Sequence, residues 1–142
     1  MQGYRISTNL DEMDLDVIHS FISTSYWASG IPKELLGKAI ANSLCFGVFD
    51  PDNKQVGFAR LITDKATFAY LADVFILDAH RGKGLSKLLM TQVMDHPDLQ
   101  GLRRMMLATR DAHGLYSQFG FTQVPNPDIL MQVWKPEIYE GL

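Results

Sequence analysis

Leu71–Met90 reads LADVFILDAHRGKGLSKLLM, and within it a run of strand formers passes through a basic, glycine-containing turn into a leucine-periodic helix. Ala72, Val74, Phe75, Ile76 and Leu77 make the apolar run, while Leu85, Leu88, Leu89 and Val93 return at helical spacing. The switch is Arg81-Gly82-Lys83-Gly84. Glycines remove the Cβ atoms that would hold a phosphate away from backbone N–H groups. The first turn of a helix leaves those donors unpaired, at the positive end of its dipole. Arg81 and Lys83 add cationic charge where a pyrophosphate would sit. The layout is that of a phosphate cradle.

Two common cradles do not fit. A nucleoside-triphosphatase loop needs GxxxxGK followed by Ser or Thr, and Gly84-Leu85-Ser86 lacks both the upstream glycine and the intervening lysine. A dinucleotide fingerprint needs GxGxxG, and no third glycine follows Gly82 and Gly84 at the required place. What remains is Arg-x-x-Gly-x-small, formed by Arg81, Gly84 and Ser86 and opening a helix after a strand. This resembles the acetyl-coenzyme A pyrophosphate loop of the GNAT family of N-acetyltransferases. Leu115–Phe121, LYSQFGF, is similar to that family's YxxxGF signature, and Leu102–Thr109, LRRMMLAT, reads as the strand between the two motifs.

The resemblance spans nearly the whole chain and implies one α/β (mixed α+β) domain. Its sheet would be twisted, mixed and mostly antiparallel, of about six to seven strands flanked by about four helices. The chain reads in that order. Gly3 to Thr8 is a short strand. Asp11 to Ser23 is a helix with Leu15, Ile18, His19 and Ile22 on one face, and Lys33 to Asn42 is a second helix introduced by Pro32. Leu44 to Asp50 and Val56 to Thr63 are strands joined by the turn Asp50-Pro51-Asp52-Asn53-Lys54. Ala66 to Leu77 is a strand and Gly82 to Met94 a helix. After Leu102–Thr109, Asp111 is the expected N-cap of a short helix through Phe119. Phe121 to Val124 and Ile129 to Trp134 are expected to close the chain as strands.

Bulk properties agree with one compact enzyme. The chain has 142 residues, 46% hydrophobic, enough to bury a core. Lys+Arg is 13 against 16 Asp+Glu, a formal net charge of -3, which argues against nucleic acid as a partner. The single cysteine, Cys45, allows no internal disulfide, and no long apolar run suggests export or a membrane, so the expected location is the cytoplasm. No pair of His, Cys or carboxylates has metal-ligand spacing, so no metal is expected.

The site residues follow from the resemblance. The backbone of Gly82, Lys83, Gly84, Leu85 and Ser86, with Arg81, would hold the pyrophosphate of acetyl-CoA. Ser86 replaces the usual Gly or Ala. The backbone of Phe75, Ile76 and Leu77 would contact pantetheine and the thioester oxygen. Tyr116 matches the family tyrosine that faces the coenzyme sulfur, and a phenol of pKa about 10 can protonate a thiolate of similar basicity. Thr109 stands where many members place an asparagine that binds pantetheine. Asp73, a carboxylate in an apolar strand, is either a general base working through water or a group that orients backbone or binds a cationic substrate.

Tyr26 and Trp27, in the loop between the first two helices, read as an aromatic wall for a small-molecule, amino-acid-like or peptide amine, or as a buried staple. Among the histidines, His80 reads as a second base or a solvated neighbour of Arg81, His113 as a cleft-lining or partly exposed helical residue, His19 as a satisfied core or rim residue and His96 as helix punctuation. Trp134 would pack under the sheet or form a homodimer contact.

The expected activity is transfer of an acetyl group to a primary amine by direct attack in a ternary complex. A non-catalytic acyl-CoA-binding regulatory module is the alternative. A transferase acting on charged tRNA would want a basic face, which the net charge does not supply.

Overall fold

The computed structural model describes residues 3–142. Five strands form one sheet in the order β1-β2-β3-β4-β5, namely Arg5–Ser7, Leu44–Phe49, Gln55–Thr63, Phe68–Ile76 and Arg104–Met106. The first four pair antiparallel and β5 joins β4 in parallel. Four helices flank the sheet: α1 (Leu15–Ile22), α2 (Lys33–Ala41), α3 (Leu85–Asp95) and α4 (His113–Ser117). The mixed α/β architecture agrees with the sequence reading, and the strand count is smaller.

Local chemistry explains the elements. α1 starts at Asp14, whose carboxylate accepts the Val17 N–H at 3.2 Å. The β2–β3 turn closes on Asp50, whose Oδ1 accepts from the Asp52 and Lys54 amides at 2.9 Å each. Asp64 holds the β3–β4 turn, accepting from the amides of Ala66, Thr67 and Phe68 and from the Thr67 hydroxyl. Those bonds, the Thr67 hydroxyl's first, keep its carboxyl well below the usual range.

Two apolar clusters lie against the sheet. On one, Leu85, Leu89, Met90 and Val93 of α3 pack with Phe46, Val48, Ala59 and Leu61. On the other, Ile18 and Ile22 of α1 and Leu36 and Ile40 of α2 enclose Cys45, Phe58 and Phe75. A Cβ on Gly57 would lie 2.7 Å from Ile76 Cδ1 and 3.1 Å from the Phe75 carbonyl, so glycine there lets β3 and β4 approach.

Burial pushes the Cys45 thiol up to about 12. Its proton therefore stays on in the folded state at pH values where an unfolded thiol has lost it. This contribution is complete below the ordinary thiol range and fades as pH rises through it toward 12. We expect Cys45 to resist a thiol reagent at pH 8 in the native protein and to react at once in denaturant. Equal rates in both states would contradict its placement.

Three expectations are corrected. Leu102–Thr109 contributes only Arg104–Met106 to the sheet, because β5 leaves β4 after three pairs. The last helix is His113–Ser117, and its N-cap is Ala112 without a side-chain cap; Thr109 Oγ1, in place of Asp111, accepts the Ala112 N–H at 3.1 Å. Phe121 to Val124 and Ile129 to Trp134 form no ladder. Extended chain becomes a strand only beside a partner, and neither segment has one within the described chain.

Candidate active site

β4 and β5 pair at Phe68↔Arg104, Ala69↔Met105 and Tyr70↔Met106, and then separate. The separation opens a cleft of about 620 Å³ floored by Leu71–Val74 of β4 and walled by residues 107–112. Tyr26, Trp27, Arg60, Tyr70, Tyr116 and Tyr139 are among its other lining residues. Beyond the fork, the side of β4 that faced β5 no longer has a strand to bond, which leaves backbone groups available to an extended ligand.

A bulge shapes the cleft floor. The β3–β4 register moves by one residue between Arg60↔Ala72 and Phe58↔Phe75, so Asp73 and Val74 together oppose Ala59. Asp73 has φ 57°, left-handed backbone in a non-glycine residue. Such a conformation costs of order 1–3 kcal/mol and persists only where its surroundings impose it. They do so here: the buried carboxylate accepts from Arg60 Nε at 2.7 Å and from the Trp27 indole N–H at 2.8 Å. Arg60 also donates to Ser43 Oγ at 3.2 Å. Asp73 thus lines the cleft, its charge matched by Arg60.

Trp27 is one part of a wall. Tyr26 meets it edge-on with ring centroids 5.1 Å apart, and the Arg110 guanidinium sits 3.8 Å from the Tyr26 ring centroid. The Tyr26 hydroxyl accepts the Arg110 backbone N–H at 3.3 Å. These contacts tie the α1–α2 loop to the β5–α4 loop across the cleft. Both aromatics remain about half exposed, 52% and 42%, so the pair is not a buried staple.

Tyr116 lies in α4, buried, edge-on to Phe121 and lining the cleft. Burial first, and the Tyr26 phenol second, raise its hydroxyl above the usual phenol range. It is a proton-bearing group throughout the physiological range.

The turn before α3 has the features of an anion cradle. Gly82 and Gly84 have φ 78° and 79°, and a Cβ on Gly82 would meet nothing within 4 Å. Gly84 is the N-cap of α3; no side chain caps the helix and its first turn has no acidic residue. The opening amides of an eleven-residue helix are therefore neither capped nor offset by charge. Arg81 is fixed beside them, donating through Nε to the Ile76 carbonyl at 2.9 Å and through Nη1 to Asp78 at 2.7 Å. Lys83 lies over the Tyr4 ring at 5.9 Å.

The side chains of Phe75 and Ile76 are buried, Phe75 stacking on Phe21 with centroids 4.2 Å apart. Leu77 N donates to Val56 O at 2.8 Å. Phe75 and Ile76 can therefore meet a ligand only through backbone, whereas Leu77 is half-buried and its N–H is already used. Leu85 is core, and Ser86 lies in the first turn of α3.

The cleft thus gathers Tyr26, Trp27, Asp73, Thr109 and Tyr116, while Arg81–Ser86 belong to the separate cradle turn. His113 is outside the lining, His80 bonds the Tyr4 hydroxyl at 2.8 Å, His19 bonds the Ile31 carbonyl at 2.8 Å, and His96 accepts the Asp98 N–H at 3.1 Å. Sequence reading missed Arg60, Tyr70, Arg110 and Tyr139. An arginine alternating with apolar residues in β3, the strand beside one holding a lone aspartate, was the signal for Arg60; the other three had none. Among the described residues no His, Cys, Asp and Glu group could hold a metal ion, and no helix is long and apolar enough to cross a membrane.

A parallel pair that forks over a bulge, with an uncapped glycine turn following the bulged strand, frames the site. The model of the Acetyltransferase (GNAT) family matches residues 13–121, and the chain belongs to that family. A Gibberella zeae protein provisionally named an acetyltransferase is 33% identical over 81% of this chain and 76% of its own length. A crystal structure at 1.40 Å of a Xanthomonas campestris pv. campestris protein, provisionally assigned to the same family, is 53% identical and superposes with a TM-score of 0.94 over 98% of both chains. A Clostridium acetobutylicum protein solved with acetyl-CoA, 12% identical, shares the fold at a TM-score of 0.64 over 94% of this chain and 96% of its own.

Proposed function

We propose that this chain is an acetyl-CoA-dependent N-acetyltransferase that acetylates a primary amine of a small molecule, an amino-acid-like compound or a peptide by direct attack in a ternary complex. The observation that supports this most is the fork at Tyr70↔Met106, with the cradle turn on the same strand's exit and Tyr116 in the cleft. In this reading the amides of Gly82–Ser86, with Arg81, hold the pyrophosphate, and the backbone of Phe75–Leu77 aligns pantetheine along the freed side of β4. Thr109 donates its hydroxyl hydrogen to the pantetheine chain while its oxygen keeps the Ala112 amide.

The acceptor nitrogen forms a bond to the thioester carbonyl carbon as the carbon–sulfur bond breaks. Tyr116 gives its proton to the departing sulfur. Asp73 takes, through a water, the proton the amine loses, and Tyr26 and Trp27 hold the amine's apolar portion. Transfer of this kind draws mainly on orientation and on donors already in place. Scanning a panel of primary amines for acetyl-CoA-dependent thiol release tests the reading; release with one amine class, saturating in both substrates, is expected.

Asp73→Asn should separate the aspartate's two roles, because the amide oxygen can still accept from Trp27 while the charge is gone. We expect turnover to fall about tenfold to a hundredfold at neutral pH with the acceptor KM little changed. A raised acceptor KM with unchanged turnover would make Asp73 a binding group instead.

A further inference from the structure

The cleft is lined by two arginines whose charges are committed differently. Arg60 gives Nε to Asp73 and Nη1 to Ser43. Arg110 takes part in none of the ion pairs among the described residues, which use Arg5, Lys33, Arg60, Lys65 and Arg81. Asp111, the next residue and also on the lining, is in none of them either. The Arg110 charge therefore stands on the cleft without a carboxylate partner among the described residues.

Arg110 is nevertheless held. Its guanidinium lies 3.8 Å from the centroid of the Tyr26 ring, and its backbone N–H donates to the Tyr26 hydroxyl at 3.3 Å. A guanidinium stacked on a ring offers that ring its face and keeps its N–H edge for a planar anion. An untethered surface arginine must give up side-chain freedom to bind, which is one reason exposed ion pairs contribute little. Here the ring already restrains the head group.

The guanidinium also occupies a defined end of the site. Contacts run from it to Tyr26, from Tyr26 edge-on to Trp27 with centroids 5.1 Å apart, and from the Trp27 indole N–H to the Asp73 carboxylate at 2.8 Å. Asp73 and Tyr116 are buried, Tyr26 and Trp27 half exposed, and Arg110 exposed. The series leads from the closed end, where the function proposed puts the reacting amine, along an aromatic wall to a cation at the mouth.

We infer that the acceptor is a primary amine that also carries an oxyanion, a carboxylate or a phosphate ester, at the far end of an apolar spacer, and that Arg110 selects it. In an α-amino acid the nitrogen stands only about 2.5 Å from the carboxylate carbon, short of the 5.1 Å between the two ring centroids. Amines whose oxyanion lies several carbons away match the series better. The inference rests on the acyl-transfer reading and narrows its acceptor.

Acetyl-CoA-dependent thiol release tests it, with γ-aminobutyrate, δ-aminovalerate and ε-aminocaproate beside their amides and aminopropyl phosphate beside aminopropanol. Calorimetry follows binding of the same compounds with and without desulfo-CoA. At least one oxyanion compound is expected to exceed its neutral counterpart about tenfold or more in kcat/KM, through KM, and in Arg110→Gln that ratio should fall to near one. Which series shows the ratio tells carboxylate from phosphate. A ratio near one in wild type, a preference for the amides such as Asp111 would impose, or a ratio that survives Arg110→Gln would overturn the inference. So would loss of acetyl-CoA affinity in Arg110→Gln, which would put the guanidinium on the coenzyme. If no amine supports release, the acyl-transfer reading fails by itself and calorimetry decides the site. Oxyanion binding that Arg110→Gln abolishes would then uphold the site, and its absence would overturn it.

Discussion

Tyr116→Phe is expected to lower turnover about ten- to a thousandfold while leaving acetyl-CoA affinity within about twofold, the pattern of a lost general acid. The substitution removes one oxygen from a ring that is packed edge-on to Phe121, so packing is kept and the fold should hold. The pH profile makes the test specific. Burial, then the Tyr26 phenol, raise the Tyr116 hydroxyl, so the acid form persists beyond the ordinary phenol range and activity should decline only above it. Rates measured against pH for wild type and variant check this. An unchanged rate in the variant would remove Tyr116 from the reaction and, with tight coenzyme binding, would favour an acyl-CoA-binding regulatory module.

Gly84→Val is expected to weaken acetyl-CoA binding by about a hundredfold or more. Two effects act together. Valine is disfavoured at φ 79°, by of order 1–3 kcal/mol, so the turn will shift away from the geometry that aims its amides. Its branched side chain would also stand where a pyrophosphate must approach, and each 1.4 kcal/mol lost is tenfold in affinity. Binding is read by calorimetry and folding by circular dichroism on the same sample. A folded variant with native affinity would place the cradle elsewhere.

The parts of the fold legible in sequence were those written in local chemistry. Leu15, Ile18, His19 and Ile22 announced one helix face; Ile18 and Ile22 are buried there, and His19 bonds the Ile31 carbonyl as a rim residue does. The glycine turn, its basic flanks and the leucine-periodic helix gave the α3 entry directly. The bulge was not legible, because nothing in LADVFI marks which residue will turn left-handed. Asp73 is held there by Arg60, thirteen residues earlier, and by Trp27, forty-six residues earlier.

The two closing segments show a different limit. Phe121 to Val124 and Ile129 to Trp134 have the composition of strands, and β-propensity measures fit to a partner more than a backbone preference. Pro125 and Pro127 deny them each other. Sequence pattern marked both segments as strand formers without supplying a partner for either.

In the function proposed, the turn at Arg81–Ser86 and the freed side of β4 hold an acyl-coenzyme A. Titrating the purified protein with acetyl-CoA, desulfo-CoA and NAD by calorimetry tests it most directly. We expect micromolar binding of both coenzyme A compounds and none of NAD. Absence of binding by either coenzyme A compound, or equal binding of NAD, would contradict it.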